Sequence, residues 1–202
     1  MNRTMTSTMT LACALLAGCA TPAPTPTPNP VDPTHRKLLT LDAHLDTPVH
    51  FGRASWDFGA RHDPATELAQ LDLPRMADGS LDGGFFVIYT EQGPLTADGF
   101  AAARRHALAR SALIDATLAH HADRIGVATS AQEARRLDAA GKLVAFKSIE
   151  NSYPLGESVT ALGEFQHQGV RLVGVVHSLN NQFADSSTDK PRWNGLSPLG
   201  RD

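Results

Sequence analysis

Short apolar runs alternate with longer amphipathic stretches along the chain from about residue 31 onward. The apolar runs predict strands near residues 38–41, 84–90, 125–128, 143–149 and 170–176. The stretches between them predict helices near 97–120, 130–141 and 157–168. Thr96 or Asp98 can cap the first of these helices, and Ser130 with Glu133 forms a capping box for the second. Apolar strands that alternate with helices favour an α/β fold with a parallel sheet covered on both faces.

Several predicted strands run into side chains that commonly bind metals. The first leads into His44 and Asp46, which share a face because alternate side chains of an extended backbone point the same way. The 143–149 strand leads into Glu150, and the 170–176 strand leads into His177. Parallel strands bring their carboxyl ends to one rim, so the pattern predicts a metal centre there.

The N-terminal segment predicts export rather than folded structure. Residues 1–18 have the short apolar stretch of a signal peptide, and the sequence LAGC that ends at Cys19 resembles a bacterial lipobox. The alternative is an ordinary secretory peptide with a chance cysteine. Residues 19–33 would form a Pro/Thr-rich tether behind a lipidated Cys19. Ala20 after the cysteine favours the outer membrane, with the protein facing the periplasm.

Cysteine usage and charge exclude several classes of function. The two cysteines, Cys13 and Cys19, both lie in the export segment, so the predicted domain at 34–202 has no thiol. Disulfides, thiolate metal ligands and a cysteine nucleophile are therefore excluded from that domain. The formal net charge is −3 and there is no basic run, so no nucleic-acid partner is expected.

Chain length bears on the architecture. A TIM-like (β/α)8 barrel needs about 250 residues, and 34–202 offers about half of the required strands and helices. Near the end of the chain, Ser197 and Pro198 form the start signal of another helix. We therefore expect the N-terminal half of a barrel from a longer, apparently truncated protein.

The motifs together resemble the membrane dipeptidase family (renal dipeptidase, peptidase family M19). Their order and spacing match over most of residues 38–200. The motifs are DAHLDTP at 42–48, DLPRM at 72–76, GGFFVIY at 83–89, IENS at 149–152, GVRL at 169–172, HSLNN at 177–181 and NGLSPLG at 194–200.

The resemblance implies a zinc-dependent dipeptidase and a role for each matching residue. His44 and Asp46 match the pair that binds the first zinc, and Glu150 matches the carboxylate that bridges two zincs. A hydroxide between the zincs would attack the peptide carbonyl, and His177 matches the histidine beside the substrate. In the family, the histidines of the second zinc lie on strands that would follow Asp202. A homodimer is kept as a possible assembly.

Two alternatives remain open at this point. One is a related barrel metallohydrolase that cuts another amide, a lactone or a phosphoester, because the ligands specify hydroxide delivery better than they specify the bond attacked. The other is an inactive fragment or non-catalytic lipoprotein. The sequence also departs from the family after Glu150, where many members have Gly-Gly-His and this chain has NSYP at 151–154. That change is expected to alter the bulk and polarity of the pocket.

The remaining conspicuous side chains are predicted to have structural roles. The histidines outside the motifs are expected in loops, on polar helix faces or at helix ends, and not as metal ligands. Lys147, in an apolar strand, is expected to form a structural ion pair at least as readily as to act in catalysis. Trp56 and Trp193 are expected to pack in the ordinary way. The histidines concerned are His50, His62, His106, His120, His121 and His167.

Overall fold

A computed structural model describes residues 31–202 of the chain. The predicted signal peptide, Cys19 and nearly all of the predicted tether lie outside these residues, so the export and lipidation hypotheses stay predictions. No helix within 31–202 has both the length and the apolar character needed to cross a membrane.

The strands follow the predicted order and are all parallel. The first one begins later than predicted and contains His44, and the last one is shorter, which leaves His177 in the loop that follows it. Just beyond the strand, the Gly174 N–H still donates to the Ile149 carbonyl at 2.8 Å, and the Ser152 N–H donates to the Val175 carbonyl at 3.2 Å. The strands are β1 Leu41–Leu45, β2 Gly83–Tyr89, β3 Ile125–Val127, β4 Leu143–Glu150 and β5 Val170–Val173.

Three of the helices begin where the sequence signals place them. Thr96, Ser130 and Ser197 each accept a hydrogen bond from a backbone N–H in the first turn of the helix that they precede. Glu133 bonds to the backbone N–H of Thr129, one residue before the position that a capping box predicts. The helices are α1 Pro64–Glu67, α2 Leu73–Gly79, α3 Ala97–His120, α4 Ala131–Ala139, α5 Ala161–His167 and α6 Pro198–Arg201.

Helix α5 is shorter than the predicted 157–168. A 3-10 helix occupies Tyr153–Leu155, and a turn follows before α5 begins at Ala161. In that turn, the Ser158 hydroxyl lies 2.7 Å from the hydroxyl of Thr160 and accepts a bond from the Thr160 N–H at 3.3 Å. Local side-chain bonds of this kind compete with helical backbone bonds, which accounts for the late start.

Strand β4 is the centre of the sheet. It pairs along its whole length with β2, which in turn pairs with β1. The other edge of β4 is shared, because β3 pairs with residues 143–145 and β5 pairs with residues 147–149. Tyr89 is the register partner of Glu150, so β2 and β4 end at the same level. The carboxyl ends of the strands therefore form one rim.

The core lies mainly between this sheet and helix α3. Phe86 and Ile88 of β2 and Ile149 of β4 pack in one buried cluster with α3 residues such as Ile114. Lys147 points to the same helix and is buried, and its Nζ lies 2.8 Å from both carboxylate oxygens of Asp115. Of the two predicted roles for Lys147, the structure shows the ion pair. Val87, Tyr89 and Glu150 face the opposite side, where the predicted site lies.

Candidate metal centre

The structure brings together the three residues that the sequence predicts as metal ligands. Nε2 of His44 lies 3.2 Å from Oδ1 of Asp46 and 3.4 Å from Oε2 of Glu150. All three donor atoms lie within 4.8 Å of one another. Among residues 31–202, these three form the one group of His, Cys, Asp or Glu side chains with this spacing.

The predicted fourth residue, His177, borders the same group. Its Nε2 lies 3.5 Å from Oε1 of Glu150, the carboxylate oxygen that does not face His44. Its ring also meets the ring of Tyr89 edge-on, at a centroid distance of 5.2 Å and an interplanar angle of 75°. The loop after β5 thus places an imidazole beside the carboxylate while a neighbouring aromatic ring restricts its orientation.

The chemistry of this group fits a zinc ion. Imidazole nitrogen and carboxylate oxygen are donors that Zn²⁺ uses in proteins, and the spacing allows one ion to reach all three residues. Two carboxylates this close repel each other unless a cation or a proton lies between them. Asp46 and His44 are exposed and Glu150 is half-buried, so the group is open to the cleft.

A cleft of about 590 Å³ opens from the metal group over the end of the sheet. Its size falls within the range of small-molecule sites. Most of its other walls were not predicted from the sequence, and they come from β2, from the loop after β1 and from helix α3. The lining residues outside the metal group and His177 are Val49, Val87, Tyr89, Glu91, His106 and Arg110.

Two polar groups in the cleft have shifted acid–base properties. Burial raises the pKa of Tyr89, and the nearby carboxylates of Glu91 and Glu150 raise it further. Burial lowers the pKa of Arg110, and the positive charge of Arg53 adds to the effect. Tyr89 therefore stays a neutral hydrogen-bond donor near neutral pH, and Arg110 stays a cation because its ordinary pKa is so high.

The segment after Glu150 does not line the cleft, contrary to the expectation from its unusual sequence. Asn151 is fully buried, and its side-chain amide donates to the Thr90 carbonyl at 3.1 Å and to Oε1 of Gln92 at 3.2 Å. Its Oδ1 accepts from the Tyr153 N–H at 3.2 Å and from the Asn181 amide at 3.0 Å. The Asn151 side chain thus links the end of β4, which carries Glu150, to the end of β2 and to the loop that carries His177.

Two of the other histidines are more buried than predicted. His50 and His62 both stack on Trp56, at centroid distances of 5.1 and 4.4 Å. The His62 ring contacts the Glu67 carboxylate at 2.6 Å and the Asp57 carbonyl at 2.7 Å. This stack packs the loop that follows His44 and Asp46. The adjacent Thr, Pro and aromatic residues gave no periodic signal from which the stack could be predicted.

The other four histidines have separate positions, and His120 is exposed at the last residue of α3, as expected for a helix end. His121, at the end of α3, lies 2.9 Å from the Asp57 carboxylate, which is a helix-end partner of the kind expected. His167 is exposed at the end of α5. His106 is exposed too, but it lines the cleft. Its position on a polar helix face did not predict this location.

Comparison with known proteins supports the same picture. A sequence model of the membrane dipeptidase family, peptidase family M19, matches residues 30–202. The dipeptidase tcpJ of Claviceps purpurea is 34% identical over 170 residues, which cover 80% of this chain and 40% of that protein. The chain spans between 33% and 43% of the length of the curated relatives compared.

Solved structures confirm the predicted fold class. The probable dipeptidase PvdM from Pseudomonas aeruginosa superposes with a TM-score of 0.72 at 29% identity, over 83% of this chain and 43% of that one. A metallopeptidase from Rhodobacter sphaeroides, liganded with a phosphinate mimic of the dipeptide L-Ala-D-Ala, superposes with a TM-score of 0.65 at 25% identity. That match covers 80% of this chain and 53% of the other. The sheet described above corresponds to part of their TIM-like barrel.

Proposed function

Because the chain belongs to the membrane dipeptidase family, peptidase family M19, we propose that it acts as a zinc-dependent dipeptidase that hydrolyses the peptide bond of small dipeptides. One observation carries this proposal: the donor atoms of His44, Asp46 and Glu150 lie within 4.8 Å of one another at the edge of a cleft. The type of reaction is inferred from the resemblance between this chain and its relatives. The three side chains are the groups of this chain that would bind the metal.

The residues of this chain would divide the metal-binding task. A bound zinc ion supplies a Lewis acid and lowers the pKa of a water molecule to near neutrality. His44 and Asp46 are the proposed ligands of the first zinc. Glu150 presents one carboxylate oxygen to His44 and the other to His177. This two-sided orientation suits the bridging role that the family resemblance implies for Glu150.

His177 is the proposed catalytic residue. Its ring contacts Oε1 of Glu150, the carboxylate oxygen that does not face His44. From this position the ring can donate a hydrogen bond to a substrate carbonyl oxygen that gains negative charge. The edge-on contact with Tyr89 and the Ser178 hydroxyl, 3.3 Å from Nδ1, restrict the ring and leave Nε2 on the side of Glu150 and the cleft. A donor fixed in this way stabilises the tetrahedral state more than the planar substrate, which accelerates the reaction.

The substrates that we propose are short, and they include dipeptides with a D-residue. The Rhodobacter sphaeroides relative was solved with a mimic of L-Ala-D-Ala. A cleft of about 590 Å³ accommodates a dipeptide comfortably. A panel of L,L- and L,D-dipeptides, supplied with Zn²⁺ and followed by release of free amino acids, tests this substrate range.

Two variants test the assigned roles. Glu150→Gln is expected to lower zinc content and abolish hydrolysis, because a neutral amide is a poor metal ligand. His177→Ala is expected to keep its zinc and lower kcat by about 10²–10³, the range for loss of one transition-state donor. Zinc content is measured by mass spectrometry of the purified protein and hydrolysis by chromatography.

Matched controls are available on the surface of the same domain. Glu157 and His167 are exposed and lie outside the cleft, so Glu157→Gln and His167→Ala should leave zinc content and kcat unchanged. If His177→Ala lost zinc while Glu150→Gln retained it, the proposed roles of the two residues would be wrong.

A further inference from the structure

The cleft has a second polar wall that the metal centre does not use. His106 and Arg110 both line it, and they lie one helical turn apart on α3. Residues four apart on a helix project from the same side, so their side chains can act on one ligand. His106 offers a ring nitrogen, and Arg110 offers a planar set of N–H donors.

The Arg110 guanidinium is not neutralised within residues 31–202. It donates to the backbone carbonyl of Pro48, and no carboxylate in this part of the chain lies within ion-pair distance of it. Burial lowers the pKa of Arg110, and the positive charge of Arg53 lowers it further. A half-buried guanidinium beside a second cation is destabilised, so an anion in the cleft would relieve the repulsion.

The position of Arg110 suits a ligand of dipeptide size. Pro48, which accepts the Arg110 hydrogen bond, follows the proposed metal ligand Asp46 by two residues in the chain. Arg110 also lines the same cleft as Asp46 and Glu150. An extended dipeptide spans about 7 Å. One end of a dipeptide can therefore lie at the metal ligands while its other end approaches Arg110.

We propose that Arg110, assisted by His106, binds a carboxylate of the substrate and makes this the specificity-determining contact of the cleft. The inference rests on the proposed dipeptidase function. The carboxylate has two sources in a dipeptide, an acidic side chain or the C-terminus. Glu91 also lines the cleft, so recognition depends on the placement of the anion near Arg110 and not on a generally cationic surface. Guanidinium pairs with carboxylate through two parallel hydrogen bonds, which fixes orientation as well as charge.

Assays of the zinc-loaded protein with three substrates show whether the recognised carboxylate is the acidic side chain or the C-terminus of the dipeptide. The substrates are a dipeptide with neutral side chains, the same dipeptide with an acidic side chain, and the neutral dipeptide with its C-terminus amidated. Arg110→Gln is expected to raise KM at least about tenfold for whichever substrates carry the recognised carboxylate, with little change in kcat. An effect confined to the acidic dipeptide assigns the side chain, and an effect on both free-acid dipeptides but not on the amide assigns the C-terminus.

Two further variants guard against a purely structural effect. Arg105 lies on the same helix, is exposed and does not line the cleft, so Arg105→Gln removes the same charge and should leave every KM unchanged. Arg110→Lys keeps the charge but loses the paired hydrogen bonds, and an intermediate KM is expected. If Arg110→Gln lowered kcat equally for all three substrates, or if the variant lost its zinc, Arg110 would only hold the Pro48 loop. The inference would then be overturned.

Failure of the proposed function is distinguishable from failure of this inference. If the wild-type protein hydrolysed none of the three substrates, the dipeptidase proposal would fall. Carboxylate binding would then be read from the NMR signal of the Arg110 Nε–H during titration with the acidic dipeptide. A saturable shift that Arg110→Gln abolishes supports the contact, and a signal that does not move overturns it.

Discussion

Asn151 offers the sharpest test of how the site is held together. It follows Glu150 directly, is fully buried and adopts a φ of 68°, which is the left-handed region. Asn tolerates this region, whereas Ala pays about 1–2 kcal/mol there. Its side chain also makes the four hydrogen bonds described above, to Thr90, Gln92, Tyr153 and Asn181.

The expected cost of Asn151→Ala has two parts. The first is about 1 kcal/mol for the left-handed backbone. The second is about 2 kcal/mol, because the buried N–H of Tyr153 and the buried Thr90 carbonyl lose their Asn151 partner. The free energy of unfolding should therefore fall by about 3 kcal/mol in total. Zinc affinity should fall as well, because the residue after Glu150 loses its side-chain bonds to Thr90 and to Asn181 in the loop that carries His177.

Asn194 provides a matched control for the backbone part. It has a φ of 56° but is exposed, and its side chain makes no hydrogen bond within residues 31–202. Asn194→Ala should cost only about 1 kcal/mol. Urea denaturation of both variants, followed by tryptophan fluorescence, measures the difference. If Asn151→Ala costs no more than Asn194→Ala, the buried amide does not hold the site and the reasoning fails.

Two other predictions concern regions away from the metal ligands. Burial lowers the pKa of His62, but the Asp57 carbonyl and the Glu67 carboxylate outweigh it and raise the pKa above its ordinary value. The resulting stabilisation is present below about pH 6.5 and is lost as pH rises through the folded-state pKa, so Glu67→Gln should lower Tm more at about pH 6 than at about pH 8. An equal loss of Tm at both pH values would contradict this sign. At the N-terminus, Cys19→Ala should abolish labelling of the protein with a radioactive or clickable fatty acid, and unchanged labelling would exclude the lipobox hypothesis.

The sequence was sufficient for the strand–helix alternation and for the prediction that His44, Asp46 and Glu150 lie together. His44, Asp46 and Glu150 each lie within or at the end of an apolar run, so local pattern and the geometry of parallel strands place them at one rim. The bounds of β1 were less well predicted, because Asp42 and His44 interrupt its apolar pattern, whereas β4 is apolar over most of its length.

The far wall of the cleft could not be predicted in this way. Whether His106 and Arg110 face solvent or the site depends on how α3 lies across the sheet, and this is decided by the packing of residues such as Ile114. The burial of Asn151 depends similarly on Asn181, thirty residues later in the chain. Contacts between distant segments carry no local periodicity, so they appear only once the structure is known.

The central position of β4 has a consequence for biosynthesis. About 100 residues separate Asp46 from Glu150, and at about 5–20 residues per second they leave the ribosome roughly 5–20 s apart. During that interval β2 has only β1 to pair with, because its other partner has not been made. The complete ligand group can therefore form only after β4 has joined the sheet. A metal ion that needs all three side chains can bind only at this late stage of synthesis.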